Sequence, residues 1–167
     1  MNGNTSHLTA SFIQGAKEAG HSVEEVKVGF STISGCHACE YCHSNGNKSC
    51  IIKDDMISIY PKIVEAEMLV LASPIYYFTL SGQLQNVLHR TYALGKLTNI
   101  KKTVLILSSG SKDVYDSAIS QYKQVVKWWG STDMGIFAIP GIQSTHAPIN
   151  ITEENLKELY EFKKSLR

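Results

Sequence analysis

The cysteines are the residues of this sequence whose spacing points most directly to chemistry. All four lie within fifteen residues: Cys36, Cys39, Cys42 and Cys50. Three thiols spaced two residues apart can surround one centre, and this spacing, completed by a fourth cysteine, is used for [4Fe–4S] clusters. Because His37 and His43 lie among them, a zinc site with mixed ligands is an alternative. Reduced or oxidised thiols in a loop that binds no metal are a third.

Three other segments contain the small, polar and aromatic residues that bind phosphates and planar rings. Residues 2–6 (Asn-Gly-Asn-Thr-Ser) lead into a predicted helix, and they could hold a phosphate or simply cap that helix. Residues 76–78 are consecutive aromatics that could flank a planar ring, or instead cover the end of the sheet or a dimer contact. Residues 108–111 (Ser-Ser-Gly-Ser) would let a ligand approach the backbone closely.

The elements that must position these segments alternate between strands and helices. Residues 68–72, 104–107 and 135–139 are continuous apolar runs, typical of parallel strands covered on both faces, and residues 23–28 alternate like a strand near an edge. Pro74 is expected to end the strand that precedes the aromatic residues. Helical patterns lie between the runs, over residues 5–19, 55–66, 81–94, 115–129 and 152–166. This alternation predicts an α/β doubly wound sheet, in which ligands bind beyond the carboxyl ends of the strands.

Length, charge and hydropathy exclude several classes of protein. The 167 residues, 43% of them hydrophobic, can bury a core without disulfides. A net charge of +1 argues against nucleic-acid binding, and no apolar run approaches the ~20 residues of a membrane span. The amino terminus lacks the pattern of a signal peptide. We therefore expect one cytoplasmic domain over residues 1–167, with a cysteine-rich loop inserted at residues 34–50.

The motifs together resemble one protein family. They are Gly-Asn-Thr-Ser at the start, Ser-Pro-Ile-Tyr-Tyr-Phe-Thr-Leu-Ser-Gly-Gln-Leu in the middle, and Cys-x-x-Cys-x-x-Cys followed by Cys-Ile-Ile-Lys-Asp-Asp-Met. This combination is similar to the flavodoxin-like NADPH-dependent FMN reductases, and within them to the iron–sulfur flavoproteins. The resemblance covers residue 3 to about residue 140. It implies a flavodoxin-like three-layer α/β/α fold and an oxidoreductase that passes electrons from NAD(P)H, or from ferredoxin, to a small acceptor.

The resemblance also implies roles for individual residues. The residues that would bind FMN, from its phosphate to its ring, are Asn4, Thr5, Ser6, Pro74, Ile75, Tyr76, Tyr77, Phe78, Ser109 and Gly110. The four cysteines would hold one [4Fe–4S] cluster. No side chain is implied as an acid, base or nucleophile, because the flavin carries the chemistry. Family members assemble as dimers or tetramers, so the resemblance implies a homo-oligomer.

The start of the chain departs from the family's pattern. In the family a first strand precedes a phosphate loop that reads Gly-Ser-x-Arg-x-x-Gly-Asn-Thr-Ser, whereas this sequence begins inside that loop. The absent strand would be the central one of a 2-1-3-4-5 order, between residues 23–28 and 68–72. We expect Met1 to be an internal methionine of a longer natural chain. Two other functions stay open: an electron carrier without NAD(P)H turnover, and a non-catalytic metal-binding or interaction module on a degenerate scaffold.

Two groups of residues near helix ends receive structural interpretations. We expect His89, Arg90 and Tyr92 to lie on a solvated helix face, with Tyr92 used for packing. Of Trp128 and Trp129, which precede Gly130 at a helix end, at least one is expected in the core.

Overall fold

Three apolar runs of the sequence form the parallel part of a four-stranded sheet. The computed structural model describes residues 3–141 and 151–166. Its strands are β1 (Met68–Tyr76), β2 (Thr79–Leu80), β3 (Lys102–Ser108) and β4 (Thr132–Ile139). Their order across the sheet is β2-β1-β3-β4, with β1, β3 and β4 parallel and β2 antiparallel to the end of β1. The prediction of parallel strands from the three apolar runs is confirmed.

Five helices lie where the sequence predicts them. They are α1 (Asn4–Glu18), α2 (Met56–Glu65), α3 (Gly82–Arg90), α4 (Asp116–Trp129) and α5 (Glu153–Glu161). The Thr152 hydroxyl accepts a hydrogen bond from the Asn155 N–H and so caps α5. Single turns of 3₁₀ helix continue α3 over Thr91–Leu94 and α5 over Phe162–Ser165. None of the described helices is both long and apolar enough to span a bilayer.

The strand side chains alternate between two cores, one on each face of the sheet. Leu105 and Leu107 pack with the apolar faces of α2, α3 and α4. Val104 and Ile106 point to the opposite face, where they pack with α1 and α5. All four side chains are fully buried, as expected for a central strand covered on both sides. Helices therefore cover both faces of the sheet, and the expected flavodoxin-like three-layer fold is confirmed.

The prediction of a strand over residues 23–28 is wrong. Residues 21–27 are irregular, and a 3₁₀ turn follows at Val28–Phe30. A strand needs a neighbour to accept its backbone hydrogen bonds, and no described strand pairs with these residues. Val26 and Val28 instead pack their side chains against the core on the α2–α4 face. Val23 packs against the core on the opposite face, so the apolar positions of this irregular segment are used for side-chain burial and not for strand pairing.

Pro74 does not end β1, which is a second correction. The strand continues through Pro74, which pairs in register with Ser108, and ends at Tyr76. Proline is tolerated in an edge strand because its missing N–H can face away from the partner strand. At Pro74 β1 is such an edge, since β2 pairs only with Ile75 and Tyr76.

Helices α1 and α5 pack with their backbones unusually close together. A Cβ atom on Gly15 would clash with the backbone carbonyl of Tyr160, so this crossing requires glycine. The Ser11 hydroxyl donates to the Leu156 carbonyl at 2.6 Å. The Glu18 carboxylate accepts hydrogen bonds from the Tyr160 hydroxyl and from the Lys163 ammonium group in the turn after α5. These contacts fix the position of α1 on the sheet.

Candidate functional site

The segments singled out in the sequence meet at the carboxyl ends of the parallel strands. Pro74 and Ser108 are register partners, so β1 and β3 end side by side. The hydroxyls of Thr5 and Ser108 are 2.8 Å apart, which joins the first turn of α1 to the end of β3. The Ser109 N–H donates to the Ile139 carbonyl at 3.2 Å and ties the following loop to β4. The predicted convergence of these segments is confirmed; Asn2 lies outside the described residues.

The segment at the start of the chain does not form a side-chain cap on α1. Helix α1 starts at Asn4, and Gly3, at the cap position, makes no side-chain hydrogen bond. The Thr5 hydroxyl is instead directed to Ser108, across the top of the sheet. The first turn of α1 therefore stands next to the end of β3 with its hydroxyl-bearing residues half-buried. A helix N-terminus in this position favours an anion through its N–H groups and its dipole.

The three aromatic residues lie in a tight β-hairpin and not in an open loop. Tyr76 ends β1 opposite Thr79, so Tyr77 and Phe78 form a two-residue turn. Both have positive φ angles, 47° and 66°, which defines a type I′ turn. Bulky residues rarely adopt such angles, and backbone strain of this kind concentrates at functional sites. The Tyr77 side chain is 96% exposed, so burial does not explain why an aromatic residue occupies this position.

The base of this hairpin is fixed by a buried serine. The Ser73 hydroxyl donates to the Pro74 carbonyl at 2.7 Å and accepts from the Ser81 N–H at 2.9 Å. Ser81 in turn caps α3, because its hydroxyl accepts from the Leu84 N–H. The hairpin is therefore attached rigidly to the sheet at one side and to α3 at the other.

An open cleft of about 340 Å³ separates the hairpin from the loop after β3. This volume lies within the range of about 300–1,000 Å³ for small-molecule sites. The residues that line the cleft are Ile75, Tyr76, Tyr77, Phe78, Ser109, Gly110, Ser111 and Val114. Six of the ten predicted binding residues therefore surround one space. Pro74 and the first turn of α1 lie beside it and are not part of its lining.

The wall opposite the hairpin presents backbone and hydroxyl groups. The Ser109 hydroxyl donates to the Ser111 carbonyl at 2.8 Å and accepts from the Ser111 N–H at 3.0 Å, which holds the loop in a compact turn. Next to Ser109, the Tyr115 hydroxyl is buried; this burial raises the pKa of Tyr115, and the neighbouring Ser109 hydroxyl lowers it by a smaller amount.

The cysteine-rich segment forms a loop closed at its base. We call residues 32–34 and 54–55 the neck. Across the neck, the Ser34 N–H donates to Asp54 Oδ2 at 3.0 Å and the Thr32 N–H donates to Asp55 Oδ2 at 2.7 Å. The Asp55 N–H donates back to the Thr32 carbonyl at 3.2 Å. All four cysteines lie between the two sides of the neck.

The four thiols have the donor atoms of a metal centre but not its arrangement. In residues 3–141 and 151–166, no three Cys, His, Asp or Glu side chains are grouped so that they could hold a metal ion. Cys36 and Cys39 are exposed, Cys42 and Cys50 are half-buried, and all are free. Burial raises the pKa of the Cys42 thiol, and the nearby Cys50 and Glu40 raise it further, which disfavours the thiolate that binds metal. This arrangement therefore does not fit a bound cluster as it stands.

Arg90 is buried and paired in a way that the sequence analysis did not predict. Its side chain is 1% exposed, and it forms a two-pronged ion pair with Asp54 at 2.6 and 3.2 Å. The guanidinium also donates to the Ser34 carbonyl at 3.0 Å and to the Ile52 carbonyl at 3.3 Å. Through Ser34 and Asp54 it therefore binds both sides of the neck. The expectation of a solvated face holds for the exposed His89 and half-exposed Tyr92 and is wrong for Arg90. Its spacing of three from Val87, on the buried stripe of α3, was the available signal.

Comparison with known proteins agrees with this geometry. The model of a family described as NADPH-dependent FMN reductase matches residues 1–143. The chain belongs to the NADPH-dependent FMN reductase family. It is an FMN-dependent NAD(P)H oxidoreductase by that membership, which confirms the resemblance noted in the sequence and the prediction of an enzyme. An open cleft at the carboxyl ends of the strands is where this fold binds its cofactor.

Individual relatives extend the comparison. An iron–sulfur flavoprotein of Archaeoglobus fulgidus is 24% identical over 160 residues, 93% of this chain and 69% of that protein. One of Methanocaldococcus jannaschii is 32% identical over 78 residues, 47% of this chain and 39% of that protein. Among solved structures, an NAD(P)H:quinone oxidoreductase from Methanothermobacter marburgensis superposes with a TM-score of 0.71 at 18% identity, covering 98% of this chain and 89% of that one. An FMN-dependent NADH-azoreductase from Bacillus anthracis, in complex with FMN, gives 0.68 at 15% identity, covering 97% and 90%.

Proposed function

We propose that this chain binds FMN in the cleft between the aromatic hairpin and the loop after β3, and reduces a small acceptor with electrons from NAD(P)H. The observation that carries the proposal is the cleft itself, together with the Thr5–Ser108 contact that sets a helix N-terminus beside it. The site fits FMN on two counts. It offers an anion-binding helix end for a phosphate, and an aromatic wall facing a hydroxyl and backbone wall for a planar ring.

Each predicted residue has a place in this arrangement. Asn4, Thr5 and Ser6, in the first turn of α1, are suited to the phosphate. Residues 74–78 are suited to the ribityl chain and to one side of the ring. Ser109 and Gly110 are suited to the other side, where their small size leaves the backbone accessible.

FMN, when bound, supplies the redox chemistry by accepting a hydride from NAD(P)H and passing the electrons to the acceptor. The chain's own part is to bind and orient. Backbone N–H groups of the hairpin and of the Ser109 loop can donate hydrogen bonds to charge on the ring's polar edge. The Tyr77 side chain lines the cleft and is almost fully exposed to solvent, so a second planar molecule can approach the cleft from this side. None of the residues lining the cleft is an ordinary acid–base catalyst at neutral pH, in keeping with chemistry carried by the flavin.

FMN titration with riboflavin as the control tests this proposal. We expect FMN to raise the melting temperature, to lose fluorescence on binding and to bind at least tenfold more tightly than riboflavin, because only FMN has the phosphate for α1. FMN-loaded protein should then oxidise NAD(P)H in steady state when a quinone or azo dye is supplied. Equal affinity for FMN and riboflavin would refute the proposed phosphate-binding site at the start of α1. Tight binding without NAD(P)H oxidation would favour an electron carrier over an enzyme.

We also propose that the cysteine segment binds a [4Fe–4S] cluster after residues 36–50 rearrange. The Cys-x-x-Cys-x-x-Cys spacing, the fourth cysteine inside the same closed loop and the names of the relatives support this. An absorbance spectrum of protein purified without oxygen, with iron and sulfide assays, tests it. A broad brown absorbance lost in a Cys42→Ser variant is expected; zinc in place of iron, or no metal, would exclude the cluster.

A further inference from the structure

One polar side chain lies in the apolar row that β1 presents to α2, α3 and α4. Alternate residues of a strand share a face, and Leu69, Leu71 and Ile75 pack in the core on this side of the sheet. Ser73 lies between Leu71 and Ile75 in the same row and is completely buried. Burying a hydroxyl is costly unless it is hydrogen-bonded, so a serine at this position needs an explanation that an apolar residue would not.

The Ser73 hydroxyl closes the base of the aromatic hairpin, where proline leaves the strand pairing incomplete. The register of the hairpin, extended by one residue away from the turn, places Pro74 opposite Ser81. Opposed residues of an antiparallel pair exchange two hydrogen bonds at every second position, but Pro74 has no N–H to donate. The Ser73 hydroxyl supplies a connection instead, since it accepts from the Ser81 N–H at 2.9 Å and donates to the Pro74 carbonyl at 2.7 Å. One hydroxyl thus joins the two ends of the hairpin.

Above this base the hairpin has little support. The Tyr76, Tyr77 and Phe78 side chains are all more than half exposed, and among residues 75–80 only Leu80 is buried. Tyr77 and Phe78 also have positive φ angles, a conformation that bulky residues rarely adopt. An exposed turn of this kind takes its direction from the strands below it. The base therefore decides where the aromatic wall of the cleft stands.

The same hydroxyl connects the hairpin with the elements that carry the rest of the site. Pro74 is the register partner of Ser108, whose hydroxyl lies 2.8 Å from that of Thr5 in α1. Ser81 is the N-cap of α3. Ser73 itself is not among the residues that line the cleft, so it can act on a ligand only through the hairpin.

We propose that Ser73 is a positioning residue of the flavin site: by joining Ser81 to Pro74, it holds the aromatic wall of the cleft in place before FMN binds. This inference rests on the proposed FMN site, because it assigns a role in building one wall of that site. A wall that is fixed in advance need not be ordered when the ligand binds, and affinity is higher for that reason. Without the hydroxyl the base of the hairpin is less tightly closed, and the aromatic side chains contact the flavin ring less closely.

FMN titration of a Ser73→Ala variant, with Ser131→Ala as the matched control, tests the inference. The Ser131 hydroxyl donates to the Ile100 carbonyl at 2.7 Å, beside the amino ends of β3 and β4 and thus at the opposite end of the sheet from the cleft. Both variants lose a hydroxyl that donates to a backbone carbonyl. We expect FMN affinity to fall about fivefold in Ser73→Ala and less than about twofold in the control. Unchanged FMN affinity in a folded Ser73→Ala protein overturns the inference.

The fluorescence of bound FMN separates positioning from a general loss of stability. Aromatic side chains that contact the flavin ring quench its fluorescence, and a saturating concentration of FMN compensates for weaker binding. Bound FMN should therefore fluoresce more strongly in Ser73→Ala than in Ser131→Ala, even where the two variants have the same melting temperature. Equal fluorescence of FMN in the two saturated variants overturns the inference.

Hydrogen exchange in the parent protein gives a measurement that needs no variant. The Ser81 amide should exchange slowly in flavin-free protein and equally slowly with FMN bound, because Ser73 already holds it. Fast exchange of this amide in flavin-free protein overturns the inference, even if Ser73→Ala does not fold. If the parent binds no FMN, the proposed function fails by itself. Exchange at Ser81 that is faster in Ser73→Ala than in Ser131→Ala then still supports the role of Ser73 in positioning the hairpin, and equal exchange overturns it.

Discussion

Replacing the aromatic turn by an Asn-Gly pair, through the double substitution Tyr77→Asn and Phe78→Gly, should stabilise the protein and weaken flavin binding at once. Both positions have the positive φ angles of a type I′ turn, for which Asn followed by Gly is the preferred pair. A left-handed conformation costs a bulky residue roughly 1–2 kcal/mol. Two such residues store about 2–4 kcal/mol, from which the greater unfolded freedom of glycine subtracts roughly 0.5–1 kcal/mol.

The net gain is therefore about 1–3 kcal/mol in the free energy of unfolding. For a chain of this length each kcal/mol shifts the melting temperature by roughly 2–4 °C, so the expected rise is about 2–12 °C. Tyr77, which is 96% exposed, loses almost no packing, whereas Phe78, which is 56% exposed, loses the contacts of its buried part and brings the gain towards the lower end of this range. FMN affinity should nevertheless fall at least tenfold, since the aromatic wall of the cleft is removed.

Thermal and urea unfolding of the flavin-free protein, followed by FMN titration, measure the two effects. Tyr76→Gly is the matched control. It removes an exposed aromatic residue two positions earlier than Phe78, but from extended strand backbone, so it should lower stability. The reasoning is refuted if the turn variant is less stable than the parent, or if it binds FMN with unchanged affinity.

Three further outcomes follow from contacts elsewhere in the fold. Thr5→Val loses the hydrogen bond to Ser108, which is worth roughly 1 kcal/mol. We expect FMN to bind about fivefold more weakly to this variant, while riboflavin binding, measured by fluorescence, stays the same. The Tyr160 hydroxyl, followed by Lys163, lowers the pKa of Glu18 from 4.5 to about 2. Because the folded pKa is the lower one, these contacts stabilise the protein fully above pH 4.5 and less as the pH falls towards 2; Glu18→Gln should flatten that part of the urea-midpoint profile. Tyr122→Phe removes the hydrogen bonds of a buried hydroxyl to Thr103 and Asp133, each of which keeps another partner, and should cost about 0.5–1.5 kcal/mol in urea unfolding.

The architecture could be predicted because its signals are local. An apolar run such as residues 104–107 is too short for a helix and too continuous for a strand with one wet face. The carboxyl ends of parallel strands lie at one edge of a sheet, so the sequence alone predicts that the segments following them lie together. Of the two tryptophans, Trp129 is buried and Trp128 is 67% exposed, as a helix with one apolar face requires.

What the sequence could not provide depends on partners distant in the chain. Arg90 is buried because Asp54, 36 residues earlier, neutralises it, and helical periodicity carries no record of that pairing. Residues 23–28 have the alternation of a strand, but pairing depends on a neighbour and not on the pattern alone. The turn at Tyr77 is a local feature, but the sequence does not predict it, because aromatic residues rarely occupy positions with positive φ.

The close crossing of α1 and α5 makes the cofactor end of the molecule sensitive to a residue far from it. Gly15 lies eleven residues along α1 from Asn4, roughly 16 Å at the rise of an α-helix. Any side chain there must push the helix off the Tyr160 backbone. Because α1 is stiff, a displacement at Gly15 also moves the first turn of the helix. Thr5 is therefore expected to move away from Ser108. A single methyl group near the carboxyl end of α1 should therefore weaken the proposed phosphate site at the amino end without touching it.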